Sequence, residues 1–315
     1  MDLAVWARRI EDNVARVIVG KREAIRGIII ALLCRGHVLV EDVPGLGKTT
    51  LVRALARSLG CEFRRIQFTP DLLPADITGT SVFDQARGEF VFRPGPLMGQ
   101  IILADEINRA SPKTQSSLLE AMEERQVTVD GVSHRLPEPF MVLATQNPIE
   151  YEGTFPLPEA QLDRFLLRIR LGYPSQSEEV AILDRMAVKH PLEDLEPVAS
   201  VAEVLVAREQ LVHVYVEDSI KDYIVRLARR SREMPEVYLG VSPRASLALF
   251  RTARALAALS GRDYVLPDDV KYMAVSVLAH RIILRPEARL DGNTPEDMVT
   301  RLLTQVPVPL PRGRG

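Results

Sequence analysis

Three groups of residues in this chain have the type and spacing to do chemistry. The first is Lys48-Thr49, which follows the small-residue loop Val43-Pro44-Gly45-Leu46-Gly47 and precedes Thr50. Such a loop turns backbone N–H groups inward, and a helix starting there adds unpaired donors and a partial positive charge. On this reading the stretch from Val43 to Thr50 cradles a phosphate chain. Lys48 reaches the outer phosphates, and the Thr49 hydroxyl sits on Mg²⁺. The second group is Asp105-Glu106, at the end of the apolar run Ile101-Ile102-Leu103-Ala104. Asp105 is suited to hold Mg²⁺, and Glu106 to orient and deprotonate an attacking water. Alone, such a pair reads as a solvated strand end. The third is Gln146-Asn147, after FMVLAT. An amide there can hydrogen-bond a γ-phosphate or the water, and the plain alternative is a turn-forming Asn before Pro148.

These groups need a scaffold, and the flanking pattern supplies one. Val38-Leu39-Val40 suits a buried strand. Leu51, Leu55 and Leu59 give residues 48–59 a helical period, and Gly60 stands where a C-terminal cap glycine belongs. The published loop pattern is G-x-x-x-x-G-K-[ST]; here its first position is Asp42. Residues 63–68, 101–106, 140–145 and 166–171 read as further strands, giving an α/β fold. In sheets of this kind ligands lie beyond the carboxyl ends of the strands, so both carboxylates face the phosphate loop.

Helices are expected over 1–17 and 22–35, with Ile18-Val19-Gly20-Lys21 between them. Val19 and Gly20 suit packing against an adenine ring as well as a plain helix–helix turn. Residues 71–100 read as a short helical turn and a hairpin inserted into a helical region. Ser111-Pro112 opens a helix running to about 125, and Asp130-Gly131 turns a hairpin within 126–137. A helix over 157–163 precedes Arg164. Ser175 and Glu178 form a capping box. Beyond it, helices are expected over 176–190, 217–234, 243–260, 267–281 and 295–304, with no convincing buried strand. The expected division is an α/β core over 1–173, a helical domain over 174–305 and a disordered tail over 306–315.

The 315 residues are 46% hydrophobic and 26% charged, enough for two domains. A net charge of −2 offers no basic excess for nucleic acid or an anionic membrane. The longest apolar approach, 27–34, is too short to span a bilayer. The start MDLAVWARRIED lacks a signal-peptide layout, so a cytoplasmic setting is expected. Cys34 and Cys61 are expected as buried thiols without a disulfide. The five histidines are scattered, which argues against a protein-held transition metal.

Four strings carry a family resemblance: EDVPGLGKTTL, ILADEINRASPKTQSSLLEAMEERQVTVDG, ATQNPIEYEGTFPLPEAQLDRFLLRI and VSPRASLAL. Together they resemble the MoxR family of AAA+ ATPases over roughly residues 10–300. The resemblance implies a P-loop three-layer αβα domain with a parallel sheet, followed by a small all-α lid. It implies a helix-2 insert and a hairpin before the sensor strand, which match 71–100 and 126–137. It assigns Lys48 and Thr49 to Walker A, Asp105 and Glu106 to Walker B, and Asn147 to sensor 1. Arg164 matches the arginine finger and Arg244 sensor 2. Ser242-Pro243 would cap the Arg244 helix, and a plain surface arginine is the alternative there. Arg164 lies between a helix and the last strand, at the domain's flank. It could pair with Asp163, or reach the γ-phosphate of a neighbouring subunit.

The resemblance also implies ATP and Mg²⁺ as ligands and a homo-oligomeric ring, with six subunits as the family expectation. It implies chaperone-like remodelling of protein clients, often metal-dependent enzymes, beside partners with a von Willebrand factor A domain. Three other readings compete. A nucleic-acid motor is disfavoured by the charge and by an inserted hairpin carrying only Arg87 and Arg93. A scaffold that binds ATP without turnover would not need Glu106. A metal-chelatase ATPase subunit shares much of the architecture, and the sequence neither supports nor excludes it.

Overall fold

The computed structural model describes residues 1–147, 154–187 and 190–309. The middle of ATQNPIEYEGTF, the end of the helix expected over 176–190 and the tail from residue 310 lie outside the described residues.

Two helices lead in, α1 (Leu3–Ala15) and α2 (Arg22–Leu33). Then come β1 (Val38–Glu41), α3 (Lys48–Ser58) and β2 (Phe63–Gln67). The insert holds α4 (Pro74–Thr78) and a hairpin of β3 (Gly79–Asp84) and β4 (Glu89–Pro94). β5 (Ile101–Asp105) and α5 (Pro112–Glu124) are followed by a second hairpin, β6 (Gln126–Val129) and β7 (Val132–Arg135). β8 (Met141–Gln146), α6 (Glu159–Leu162) and β9 (Leu167–Ile169) complete the sheet region. Helices α7 (Gln176–Met186), α8 (Val201–Gln210) and α9 (Asp218–Ser231) come next. The chain ends with β10 (Val237–Leu239), α10 (Pro243–Leu259), α11 (Pro267–Leu278), β11 (Ile283–Leu284), α12 (Pro286–Leu290) and α13 (Pro295–Gln305).

Five strands form one sheet in the order β2-β5-β8-β1-β9, and the β2–β5, β5–β8 and β1–β8 pairs are parallel. Central strands of such a sheet are covered on both faces, which is why they read as unbroken apolar runs. All of β5 and the first five residues of β8 are buried. Leu39, Ile102, Ala104, Val142 and Ala144 pack with Leu118, Leu119 and Met122 of α5 in one apolar cluster. Full burial of a leucine or isoleucine side chain contributes about 1.5–3 kcal/mol. The order sets β1 beside β8 and β8 beside β5, so the phosphate loop, residue 147 and the Asp105-Glu106 corner leave neighbouring strands at one edge.

The chain divides into two compact units. One is Trp6–Phe165 with Ile169–Leu205; the other is Met1–Val5 and Leu166–Arg168 with the chain from Val206. The limit at Leu205 differs from the expected boundary at 173/174, and several hydrogen bonds join the chain beyond 190 to the first unit. Arg57 Nη1 donates to the Leu192 carbonyl at 2.9 Å, and Asn13 Nδ2 to the Glu196 carbonyl at 2.9 Å. The Ser58 carbonyl accepts from the Val198 and Ala199 amides. Residues 192–199 are thereby tied to the first unit.

In the second unit α10 packs against α9 and α11, with Ala245, Ala248, Ala253 and Ala257 on its buried side. The helical expectation holds there, with one addition. β10 pairs antiparallel with β11 in a ribbon too short to leave an alternating pattern in the sequence. α8 also had no counterpart among the expected helices. Cys61 is buried and Cys34 only half-buried, and the two form no disulfide with each other. Among the described residues no helix is long and apolar enough to cross a membrane.

Candidate active site

The phosphate loop is shaped by its glycines. Gly45 (φ +87°) and Gly47 (φ +77°) take the left-handed conformation that glycine alone adopts cheaply. Gly47 is the N-cap of α3, so Lys48, Thr49 and Thr50 form the helix's first turn and their amides point into the loop. Lys48 Nζ donates to the carbonyls of Asp42 (2.7 Å) and Val43 (3.1 Å). Burial lowers the Lys48 pKa from its ordinary value, and the charges of Asp42, Asp105 and Glu106 oppose that shift.

A cavity of about 310 Å³ adjoins the loop. Gly45, Gly47 and Thr50 line it on the phosphate side, and Val19, Ile182 and Met186 supply apolar wall. The structure therefore brings Val19 to the loop. Gly20 is required for a different reason. Its φ is +74°, and a Cβ there would lie 1.6 Å from Glu178 Oε1. Glu178 is fixed by the capping box at the start of α7, where its carboxylate accepts from the Ser175 amide at 2.7 Å. That bond lowers the Glu178 pKa.

The two carboxylates diverge at the end of β5. Asp105 is the strand's last residue, whereas Glu106, expected inside the strand, turns out of it at φ +57°, ψ +50°. Buried Thr145 organises both residues: its hydroxyl donates to Asp105 Oδ1 at 2.6 Å and accepts from the Glu106 amide at 2.8 Å. Asp105 Oδ2 accepts from Arg65 Nη2 (2.7 Å) and Nε (3.1 Å). Glu106 Oε2 accepts from Gln67 Nε2 (3.0 Å) and Arg109 Nη1 (3.1 Å). Sequence reasoning missed Arg65, Gln67, Arg109 and Thr145. A usable signal existed in β2, whose polar residues Arg65 and Gln67 share one face and register with Leu103 and Asp105 of β5.

Thr145→Val keeps the shape of the side chain and deletes the hydroxyl. It is expected to cost about 1–3 kcal/mol of stability, because a buried acceptor and a donor both lose their partner. Denaturant unfolding of parent and variant measures the loss, and an unchanged midpoint contradicts it.

Asn147 is buried just beyond β8. The Asp42 amide donates to the Gln146 carbonyl at 3.4 Å, so Asn147 emerges beside the start of the loop. Arg164 does not line the loop's cavity. It lines a separate one of about 200 Å³ with Ser116, Glu120, Glu123 and Gln161, and its Nη2 lies 3.3 Å from Glu123 Oε2. Arg244 is exposed in the first turn of α10 in the second unit. Pro243 takes the first helical position as expected, but Ser242 stands at the N-cap without a side-chain cap bond.

The donors at the loop suit Mg²⁺, which keeps several waters and takes one or two carboxylates plus phosphate oxygens. Thr49 and Asp105 offer hard oxygens of that kind. Among the described residues no group of three or more His, Cys, Asp or Glu could enclose a metal ion.

Comparison with known proteins agrees with this geometry. A family model described as "ATPase family associated with various cellular activities (AAA)" matches residues 37–167, and an AAA lid domain matches 229–302. The chain is 54% identical to the uncharacterised Bacillus subtilis protein YeaC, over 96% of this chain and 94% of that protein. It is 45% identical to the chaperone MoxR1 of Mycobacterium tuberculosis, over 94% of this chain and 81% of the other. A crystal structure of a candidate ATPase from Cytophaga hutchinsonii superposes with a TM-score of 0.91 at 39% identity, covering 98% of this chain and 97% of that one. With the lid domain, the phosphate loop and full-length relatives of this kind, the chain belongs to the MoxR family of AAA+ ATPases.

Proposed function

We propose that this chain hydrolyses ATP at the junction of β1, β5 and β8 and uses the cycle to remodel or activate a protein client. The observation that carries the reading is the strand order: β1, β8 and β5 lie side by side, so the Lys48 loop and the Asp105-Glu106 corner leave the sheet at one edge. The loop amides and Lys48 bind the β- and γ-phosphates. The cavity walled by Val19, Ile182 and Met186 takes the adenine. Thr49 and Asp105 would hold Mg²⁺, which would neutralise charge on the phosphate oxygens. Glu106 accepts a proton from the attacking water as its oxygen bonds to the γ-phosphorus, and ADP leaves. Asn147 hydrogen-bonds the γ-phosphate or that water. The reaction is hydrolysis of a phosphoric anhydride.

Arg164 and Arg244 act on the phosphates from outside the loop, Arg164 from a neighbouring subunit and Arg244 from the lid. The working form is accordingly a ring, six-membered on family grounds. The client role follows the relatives named chaperone, and a von Willebrand factor A domain partner follows the family resemblance. A chain of net charge −2 suits a protein client better than nucleic acid. Calorimetric titration with ATP and Mg²⁺ tests the first step. The parent is expected to bind and Lys48→Ala to give no measurable heat, because the outer phosphates lose their compensating charge. Unchanged affinity in the variant overturns the assignment.

A further inference from the structure

Asp42 occupies the position where the phosphate-loop pattern has glycine. It is 8% exposed. Its side chain points towards the chain that leaves β9. Oδ2 accepts from the Leu171 amide in a short hydrogen bond, and the Gly172 amide approaches Oδ1 at 3.3 Å and Oδ2 at 3.4 Å. Two successive amides turned towards one carboxylate make an anion-binding concavity. Gly172 adopts φ +65° there, and an added Cβ would meet nothing within 4 Å, so backbone conformation alone calls for glycine.

That held segment is the root of the cavity's far wall. Gly172 and Pro174 line the cavity, and Ser175 then starts α7, which contributes Ile182 and Met186. The segment is also pinned from the other side, where Lys21 Nζ donates to the Tyr173 carbonyl at 3.2 Å. The Asp42 backbone meanwhile belongs to the phosphate side, since its carbonyl receives Lys48. One residue thus joins the loop that grips phosphate to the wall that faces the base.

We infer that Asp42 is a positioning residue for the base subsite: its carboxylate clamps residues 171–172 and so builds the adenine wall onto the phosphate loop. The inference rests on the nucleotide reading given above. It makes a counter-intuitive prediction. Restoring the pattern's glycine with Asp42→Gly weakens ATP binding, although it removes a negative charge near the phosphates. Inorganic tripolyphosphate, which has no base, feels only the charge.

The experiment is calorimetry of the full chain with Mg²⁺, using ATP and tripolyphosphate as separate probes, on the parent, Asp42→Asn and Asp42→Gly. Loss of hydrogen bonds to a charged group predicts an ATP Kd weaker by about tenfold to a hundredfold. The tripolyphosphate Kd is expected to be unchanged or tighter. Gly172→Ala strains the receiving turn from the other side and is expected to give the same split, which guards against a folding defect peculiar to position 42. Equal weakening of both probes in all three variants overturns the inference in favour of a general structural role. Tightening of both overturns it in favour of charge alone. A parent that binds tripolyphosphate and ATP with equal affinity removes the base subsite, and with it the clamp, while leaving a phosphate site. A parent that binds neither removes the nucleotide reading as well.

Discussion

Arg164→Ala is expected to lower ATP turnover by about 10³–10⁵-fold, the range measured for arginines that stabilise charge on a transferring phosphoryl group. ATP affinity is expected to change far less, because such a contact matters most in the transition state. The motivating observation is where the guanidinium sits. It lines a cavity on α5 with Glu120 and Glu123, not the cavity beside its own phosphate loop. A half-exposed arginine at a flank, held by a half-exposed carboxylate at 3.3 Å, is weakly tied. A neighbour's phosphates can draw it away at little cost. If a head-to-tail contact supplies the group in trans, specific activity of the parent should rise with protein concentration. Hydrolysis rates across a dilution series check this, and a rate per subunit independent of concentration opposes it.

Glu106→Gln is expected to keep ATP binding and to lose about 10²–10⁴-fold in turnover, the usual cost of deleting a general base. The amide keeps an oxygen for Gln67 and Arg109 to hold, so the side chain's position survives while its basicity does not. Asp105→Asn should behave differently. Its carboxylate is shared between Thr145 and Arg65, and loss of charge there should raise the Mg²⁺ concentration needed for activity. Steady-state rates against Mg²⁺, with ATP affinity measured in parallel, separate the two. If Glu106→Gln turns over at the parent rate, another residue is the base.

The parts of this site visible in the sequence were those built from neighbours along the chain. The loop from Val43 to Thr50 is a strand, two left-handed glycines and a helix N-terminus in succession, and each leaves a local mark. β5 and β8 were visible because burial on both faces demands an unbroken apolar run. What escaped depends on tertiary register. Gln67 reaches Glu106, and Arg65 reaches Asp105, only because β2 lies beside β5 in one particular alignment. The departure of Asp42 from the loop pattern was plain, but its partners at 171–172 were not, because they follow another strand and are 129 and 130 residues further along the chain. Glu106 was read as part of a strand because φ +57° leaves no compositional trace in a non-glycine residue. The tie of residues 192–199 to the first unit escaped because it rests on single hydrogen bonds with Asn13, Arg57 and Ser58, not on a change in composition.

The account's central claim is that one hydrolytic site is assembled from two subunits, with Glu106 from one and Arg164 from the next. Mixing the two defective proteins tests it most directly. Arg164→Ala subunits and Glu106→Gln subunits are each expected to be nearly inactive, yet a mixed ring would contain interfaces where an intact Glu106 faces an intact Arg164. ATP hydrolysis by the mixture is predicted to exceed the summed rates of the separate proteins and to peak near equal proportions. A mixture no faster than that sum at every ratio, under conditions where the two proteins are seen to co-assemble, would contradict it.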